Sequence, residues 1–309
     1  MYQKRKVRKE KNNNEEEQNS KMNINWFPGH MARTRRKITE SLKLIDMVVE
    51  VVDARIPLSS RNPEMDTLTA GKPRLVLLNK ADLADENATA RWVAYYEKNG
   101  VKALPVDCKS GRGLSKITPL MRETVKDEIA VWQQKGMVGR SVRAMVAGIP
   151  NVGKSSFINR LSKGAKAKAE DRPGVTRGNQ WFGLPDGVLL LDTPGVLWPK
   201  FEDRTVGLHL AFTGAIRDRI LDCEELACEL LGVLKTEYAD RLAERFKLDS
   251  VEGWQQQENY ELLETIGRKR GMLVSGGEVN TERAANTLLD EYRGGKLGRI
   301  TLEFPPKEV

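Results

Sequence analysis

Cysteine is scarce in these 309 residues: Cys108, Cys223 and Cys228 are the only three, and no two form a C-x-x-C pair. With only two histidines beside them, a structural zinc site is not expected, and the thiols read as reduced, cytosolic and packed as small apolar groups. Long apolar runs are missing too. None approaches the ~18 residues that cross a bilayer, and no apolar stretch follows the basic N-terminus as it would in a secretory signal. A disulfide scaffold, a membrane-spanning protein and a zinc module are thereby disfavoured, and a cytoplasmic protein is expected. The length allows one large domain or two smaller ones with ample core.

Charge is present in quantity and unevenly spread. The net charge is +8. Lys and Arg exceed Asp and Glu by 3 over residues 1–22 and by 10 over 23–204, whereas residues 205–309 are acidic by 5. A basic surplus in the first two-thirds suggests a polyanionic partner. Residues 1–22 join basic residues to an Asn run and Glu15-Glu16-Glu17 with almost nothing apolar, the composition of a disordered tail.

The stretch Gly148-Ile149-Pro150-Asn151-Val152-Gly153-Lys154-Ser155 fits G-x-x-x-x-G-K-[ST], a loop whose backbone N–H groups wrap nucleotide phosphates. The glycines let the backbone approach the oxygens closely, Lys154 supplies a point charge to the β- and γ-phosphates, and the Ser155 hydroxyl suits Mg²⁺. Val142 to Ala147 reads as the strand before it, and Lys154 to Leu161, which opens with Ser155 and Ser156, as the helix after it.

Upstream, Asn25-Trp26-Phe27-Pro28-Gly29-His30-Met31 is a turn-rich entry loop, followed by a basic amphipathic helix over Ala32 to Leu44. Ile45 to Val52 is a buried parallel strand. Arg74 to Leu78 repeats the pattern and ends in Asn79-Lys80-Ala81-Asp82, an N-K-x-D guanine-reading loop. There Asp82 accepts from guanine N1–H and the exocyclic amine, and Lys80 is expected over the base, bracing the phosphate loop. An adenine would leave that carboxylate unpaired, which discriminates by ~10⁴ or more. A helix (Glu86 to Asn99), a strand (Lys102 to Val106), Cys108-Lys109-Ser110 as the loop backing the base, and a helix from Leu114 to about Lys135 follow. Alternation at these lengths argues for a doubly wound α/β sheet.

Downstream, Asp171 to Gly178 is polar and turn-rich, with Thr176 expected to order onto Mg²⁺ and the γ-phosphate. A hairpin around Leu184-Pro185-Asp186-Gly187 leads to Asp192-Thr193-Pro194-Gly195, a D-x-x-G in which Asp192 holds Mg²⁺ through water and the Gly195 N–H donates to the γ-phosphate. The order of loops is rotated, guanine loop first. Closing a sheet between its usual termini leaves every site residue in place, so the site survives. The last third reads as helices (Glu224 to Leu234, Ala239 to Phe246, Trp254 to Gly267, Thr281 to Arg293), a small bundle in which Arg268-Lys269-Arg270 is either an RNA contact or a helix C-terminus.

These motifs in this order, with Trp26-Phe27-Pro28-Gly29-His30-Met31, Asp53-Ala54-Arg55-x-Pro57 and Asp192-Thr193-Pro194-Gly195-Val196-Leu197-Trp198-Pro199, resemble the circularly permuted GTPases and, within them, the ribosome biogenesis GTPase A family. The resemblance spans about residues 22–303. It implies a permuted P-loop GTPase domain over 23–204 and an all-helical, RNA-contacting domain over 205–309. It further implies GTP or GDP with Mg²⁺, and a role in late assembly of the bacterial large ribosomal subunit, on whose precursor and rRNA the protein would act as a monomer. Catalysis falls to Lys154 and Thr176. Val196 stands where Ras-like enzymes carry a water-orienting glutamine, so hydrolysis is expected to be slow alone and stimulated by the subunit. His30, rRNA, or a potassium ion beside Asn151 is left to supply the missing group. A GTP-gated module for another RNA (tRNA or the small subunit) with little turnover is the alternative.

Overall fold

The computed structural model describes residues 36, 38–69, 71–162, 180–193, 203–216, 222–249 and 251–306. The tail, the Trp26–Met31 loop with His30, Thr176, and Gly195 with the valine after it lie outside the described residues, as do 32–35 and 37 of the helix expected over 32–44, of which 38–42 is helical.

Six strands form one sheet in the order β3-β2-β1-β4-β6-β5. They are β1 (Met47–Asp53), β2 (Arg74–Asn79), β3 (Lys102–Pro105), β4 (Val142–Ala147), β5 (Trp181–Leu184) and β6 (Val188–Asp192). All neighbours are parallel except the β5–β6 hairpin, as expected from its Pro185-Asp186-Gly187 turn. The central strand β1 is buried over its whole length, and its side chains alternate between two apolar layers. Met47, Val49 and Val51 share one buried cluster with Ile117, Met121 and Phe157, whereas Val48 and Val52 face clusters holding Ile38 and Trp92. Helices therefore cover both faces, which is why the strands read as continuous apolar runs.

The helices are α1 (Glu64–Leu68), α2 (Glu86–Lys98), α3 (Ile117–Thr124), α4 (Lys126–Gln134), α5 (Lys154–Leu161), α6 (Arg204–Phe212), α7 (Cys223–Glu237), α8 (Ala239–Phe246), α9 (Val251–Trp254), α10 (Asn259–Lys269) and α11 (Thr281–Arg293). Caps fix several starts: Asp85, Asp203, Asp222 and Asn280 each accept a first-turn N–H with their side chains. Two expected helices are broken. The one over 114–135 splits at buried Val125, where the Thr124 hydroxyl bonds back to the Leu120 carbonyl, a bond that competes with the helical ladder. The one over 254–267 is interrupted because Lys235 Nζ takes the Gln257 carbonyl and Gln255 donates to the Lys235 carbonyl, pinning a turn.

The helical third does not stand apart from the sheet. Leu210, Phe212, Leu230 and Leu288 belong to the same buried cluster as Val49 and Val146. Beyond α11 the chain returns across the sheet edge. Ile300 N donates to Leu83 O, Leu302 N to Arg55 O, and Trp92 Nε1 to Glu303 O. The Glu303 carboxylate then accepts the N–H groups of Leu58 and Ser59 and the Ser59 hydroxyl, and lies 2.9 Å from His209 Nδ1. One carboxylate thus clasps the loop after β1 to α6. Glu303→Ala should leave two N–H groups without an acceptor and lower stability by ~1–3 kcal/mol in thermal or urea unfolding. An unchanged midpoint would show that the clasp contributes nothing.

Candidate nucleotide site

The parallel strands end on one edge of the sheet, and the loops expected to read guanine, back the base, wrap phosphates and hold Asp192 follow the ends of β2, β3, β4 and β6 there, where ligands sit in open α/β sheets. After β4 the loop 148–153 turns back on itself. Gly148 (φ 148°) passes so close to Val51 that a Cβ would stand 2.5 Å from its carbonyl oxygen, and a Cβ on Gly153 (φ 103°) would stand 2.3 Å from Asn79 Nδ2. Both glycines are therefore required by close approach as well as by φ.

Asn79, at the end of β2, joins two loops with one carboxamide. Its Nδ2 donates to the Val152 carbonyl at 2.7 Å, and its Oδ1 accepts the Cys108 N–H at 3.1 Å. The bracing expected of Lys80 thus falls to Asn79. Lys80 (φ 59°) instead turns its ammonium to Asp53, 2.8 Å away. Asp82 is half-buried two residues on. Cys108 is buried, and burial pushes its thiol up to about 12, so it is no nucleophile. Lys109 and Ser110 are exposed, and their N–H groups are held by Asp107, whose carboxyl is kept below its usual range, against burial, by the Ser110 hydroxyl and then by those N–H groups. Arg160 from α5 donates to the Ser110 carbonyl, tying the phosphate helix to the base-backing loop.

Lys154 begins α5 and is only 8% exposed, its ammonium 2.8 Å from the Ile149 carbonyl. Burial pulls its pKa down to about 8, against the opposing pull of Asp192. Burial likewise raises Asp192, against Lys154. Ser155 and Ser156 are exposed in the first turn, where unsatisfied N–H groups favour an anion. The Thr193 hydroxyl, one residue past β6, donates to Val146 O and locks β6 to β4 beside this site. Asn151 (φ 61°) donates to the carbonyl of Gly214, just after α6.

The fit to Mg²⁺ rests on the donor set. Asp192 and the Ser155 hydroxyl are hard oxygen donors at adjoining loop ends, a pair that phosphate oxygens and water would complete. Among the described residues no cluster of three His, Cys, Asp or Glu side chains is placed to hold a metal. The basic run 268–270 is not a free patch. Lys269 pairs with Asp249, and Arg270 pairs with Glu291 while lying over the Phe246 ring.

Asp53, Arg55, Asp107 and Arg160 were not singled out as site residues from sequence. The legible sign was an acid closing an apolar strand, since a charge there must find a buried partner.

Residues 143–269 match the family described as 50S ribosome-binding GTPase, and residues 67–202 the one described as RsgA GTPase. The chain is 48% identical to ribosome biogenesis GTPase A of Bacillus cereus over 92% of its own length and 95% of that protein. It is 36% identical to mitochondrial ribosome-associated GTPase 1 of Mus musculus, covering 90% of this chain and 89% of that one. Among solved structures it resembles GNP-bound YlqF from T. maritima, with a TM-score of 0.60 and 27% identity over 90% of this chain and all of that one. Fold, loop order and sequence agree: the chain belongs to the ribosome biogenesis GTPase A family of circularly permuted GTPases.

Proposed function

We propose that this protein binds and hydrolyses GTP as a cytoplasmic assembly factor for late maturation of the bacterial large ribosomal subunit, holding rRNA in one nucleotide state and leaving in the other. The observation that carries the reading is the Asn79 carboxamide, which locks the phosphate loop to both parts of a guanine pocket. Support for the partner comes from the names of the relatives and from the basic surplus of residues 1–204.

In this reading Asp82 reads the guanine, Lys109 and Ser110 line its edge, and Lys154 with the N–H groups of Asn151 to Ser156 holds the phosphates. Mg²⁺, held by Ser155, Asp192 and Thr176, would neutralise charge on the β- and γ-oxygens. The Gly195 N–H holds the γ-phosphate and the exposed residues of 205–309 meet rRNA. Val196 offers the attacking water no hydrogen bond, so the chain is slow alone. His30, carried over the γ-phosphate when the subunit is bound, orients the water, and Asn151 Oδ1 holds a potassium ion beside the phosphates.

Hydrolysis measured alone and with each ribosomal subunit tests this directly. The large subunit alone should stimulate turnover, and His30→Ala should lower the stimulated kcat with little change in GTP affinity. Stimulation by the small subunit instead, or binding without stimulation, would overturn it in favour of a GTP-gated module for another RNA.

A pH dependence follows from Lys154. Its pKa of about 8 in the unliganded site must rise when phosphates arrive, so binding takes up a proton. Affinity is therefore greatest below that value and falls as pH rises through it. Between about pH 7 and 8.5 the GDP dissociation constant should weaken about fourfold, and Lys154→Ala, much weaker throughout, should lose this dependence. A flat profile in the wild type would mean that Lys154 stays charged in the empty site.

A further inference from the structure

Asp53 closes β1, the central strand, at 2% exposure. Its carboxylate serves two cations. Oδ2 lies 2.8 Å from Lys80 Nζ and 2.8 Å from Arg55 Nη2, while Oδ1 accepts from Arg55 Nε at 3.0 Å and from the Arg55 N–H at 3.1 Å. Burial favours the neutral acid, but the two cations outweigh it and hold the carboxyl well below its usual range. It is a buried charge kept by its partners.

What each partner belongs to gives this carboxylate a function. Lys80 is the second residue of the guanine loop and sits in the left-handed region, which a side chain adopts only when its surroundings hold it there. Two bonds hold the backbone, Ala81 N to Val106 O and Leu83 N to Lys80 O, and Asp53 holds the far end of the side chain. Asn79 precedes Lys80 and carries the link to the phosphate loop; Asp82, two residues later, lies close enough for its charge to be felt at Arg55. A shift of Lys80 therefore displaces both neighbours.

Arg55 leads the other way. It is 1% exposed, lies over the ring of Tyr292 on α11 at 5.3 Å, and its carbonyl accepts from Leu302 in the returning C-terminal segment. Arg55 Nη1 and the Tyr292 hydroxyl are both buried with no hydrogen-bond partner, so the interior around this guanidinium relies on Asp53 for compensation.

We propose that Asp53 is a positioning residue for guanine recognition, acting through Lys80 to fix the loop that presents Asp82, and that its second cation, Arg55, ties this loop to the C-terminal helices. The proposal rests on the nucleotide reading above.

Asp53→Asn keeps the shape and removes the charge. With a fluorescent GDP and its inosine counterpart, which lacks the exocyclic amine, affinities are measured for wild type, Asp53→Asn, Lys80→Met and the double variant. Asp53→Asn should weaken GDP by ~10-fold or more, since small misplacements of binding groups carry large penalties. It should also lower the ratio of GDP to IDP affinity, which a general loosening of the fold would not. The double variant should bind within about twofold of Lys80→Met, because both changes cut the same link. Where Asp53→Asn does not fold, Asp53→Asn with Arg55→Met removes acid and buried cation together and carries the same comparison. Wild-type GDP affinity and an unchanged GDP to IDP ratio in the Asn variant, or fully multiplicative effects in the double, would overturn the proposal. Absence of GDP binding by the wild type would instead overturn the nucleotide site itself.

Discussion

One buried carboxamide holds the site together. Asn79 is the last residue of β2 and 3% exposed, and its two polar atoms meet the Val152 carbonyl and the Cys108 N–H. Those partners belong to loops that the chain enters 73 and 29 residues later. Gly153 must lack a side chain because Asn79 occupies the space. The spacing between phosphate and base loops is thus set by a contact between side chain and backbone, not by the order in which the loops are threaded. This is why rotation of the termini leaves the site intact.

The rotation has a structural consequence at the other end. In chain order Asp192 and Thr193 lead on to the helical third, which opens with α6. One contact ties it to the loop after β4: Asn151 donates to the Gly214 carbonyl. Arg293 of α11 in turn donates to the carbonyls of Ala211 and Phe212, binding α11 to α6. The returning segment 300–303 adds a second attachment, at Leu83, next to Asp82, and at Arg55. A change in either loop meets a packed interface that shares its core, the kind of contact through which nucleotide state can bias a second set of helices.

Much of this was legible in the sequence, for physical reasons. Apolar runs gave β1, β2, β4 and β6 nearly to the residue, because strands covered on both faces need no polar alternation. Gly148 and Gly153 were legible as turn glycines, and the close approach of Val51 and Asn79 requires them. Most of what was not legible depends on distant partners. The interruption after Trp254 comes from a bond made by distant Lys235, whereas the one at Val125 has a local cause, the Thr124 hydroxyl bonding back to Leu120. Lys80 was expected to brace the phosphate loop, but a buried acid at Asp53 claims its ammonium. The run at 268–270 read as either an RNA contact or a helix C-terminus; Arg268 and Lys269 stand in the last turn of α10, and Asp249 and Glu291 answer two of the three charges. Helix α6 went unread in the sequence because its apolar residues lack a helical stripe: Leu208, His209, Leu210, Ala211 and Phe212 pack nearly all round.

The central claim is that loops met in rotated order still form one guanine-reading site, with Asp82 as its reader. An exchange of base preference tests it most directly. Asp82→Asn replaces the accepting carboxylate with an amide that can donate to the C2 carbonyl of xanthine. Affinities for GTP and XTP, measured side by side on wild type and variant, should cross: the variant should lose GTP by ~10²-fold or more and gain XTP. A variant that keeps wild-type GTP affinity and ignores XTP would contradict the account.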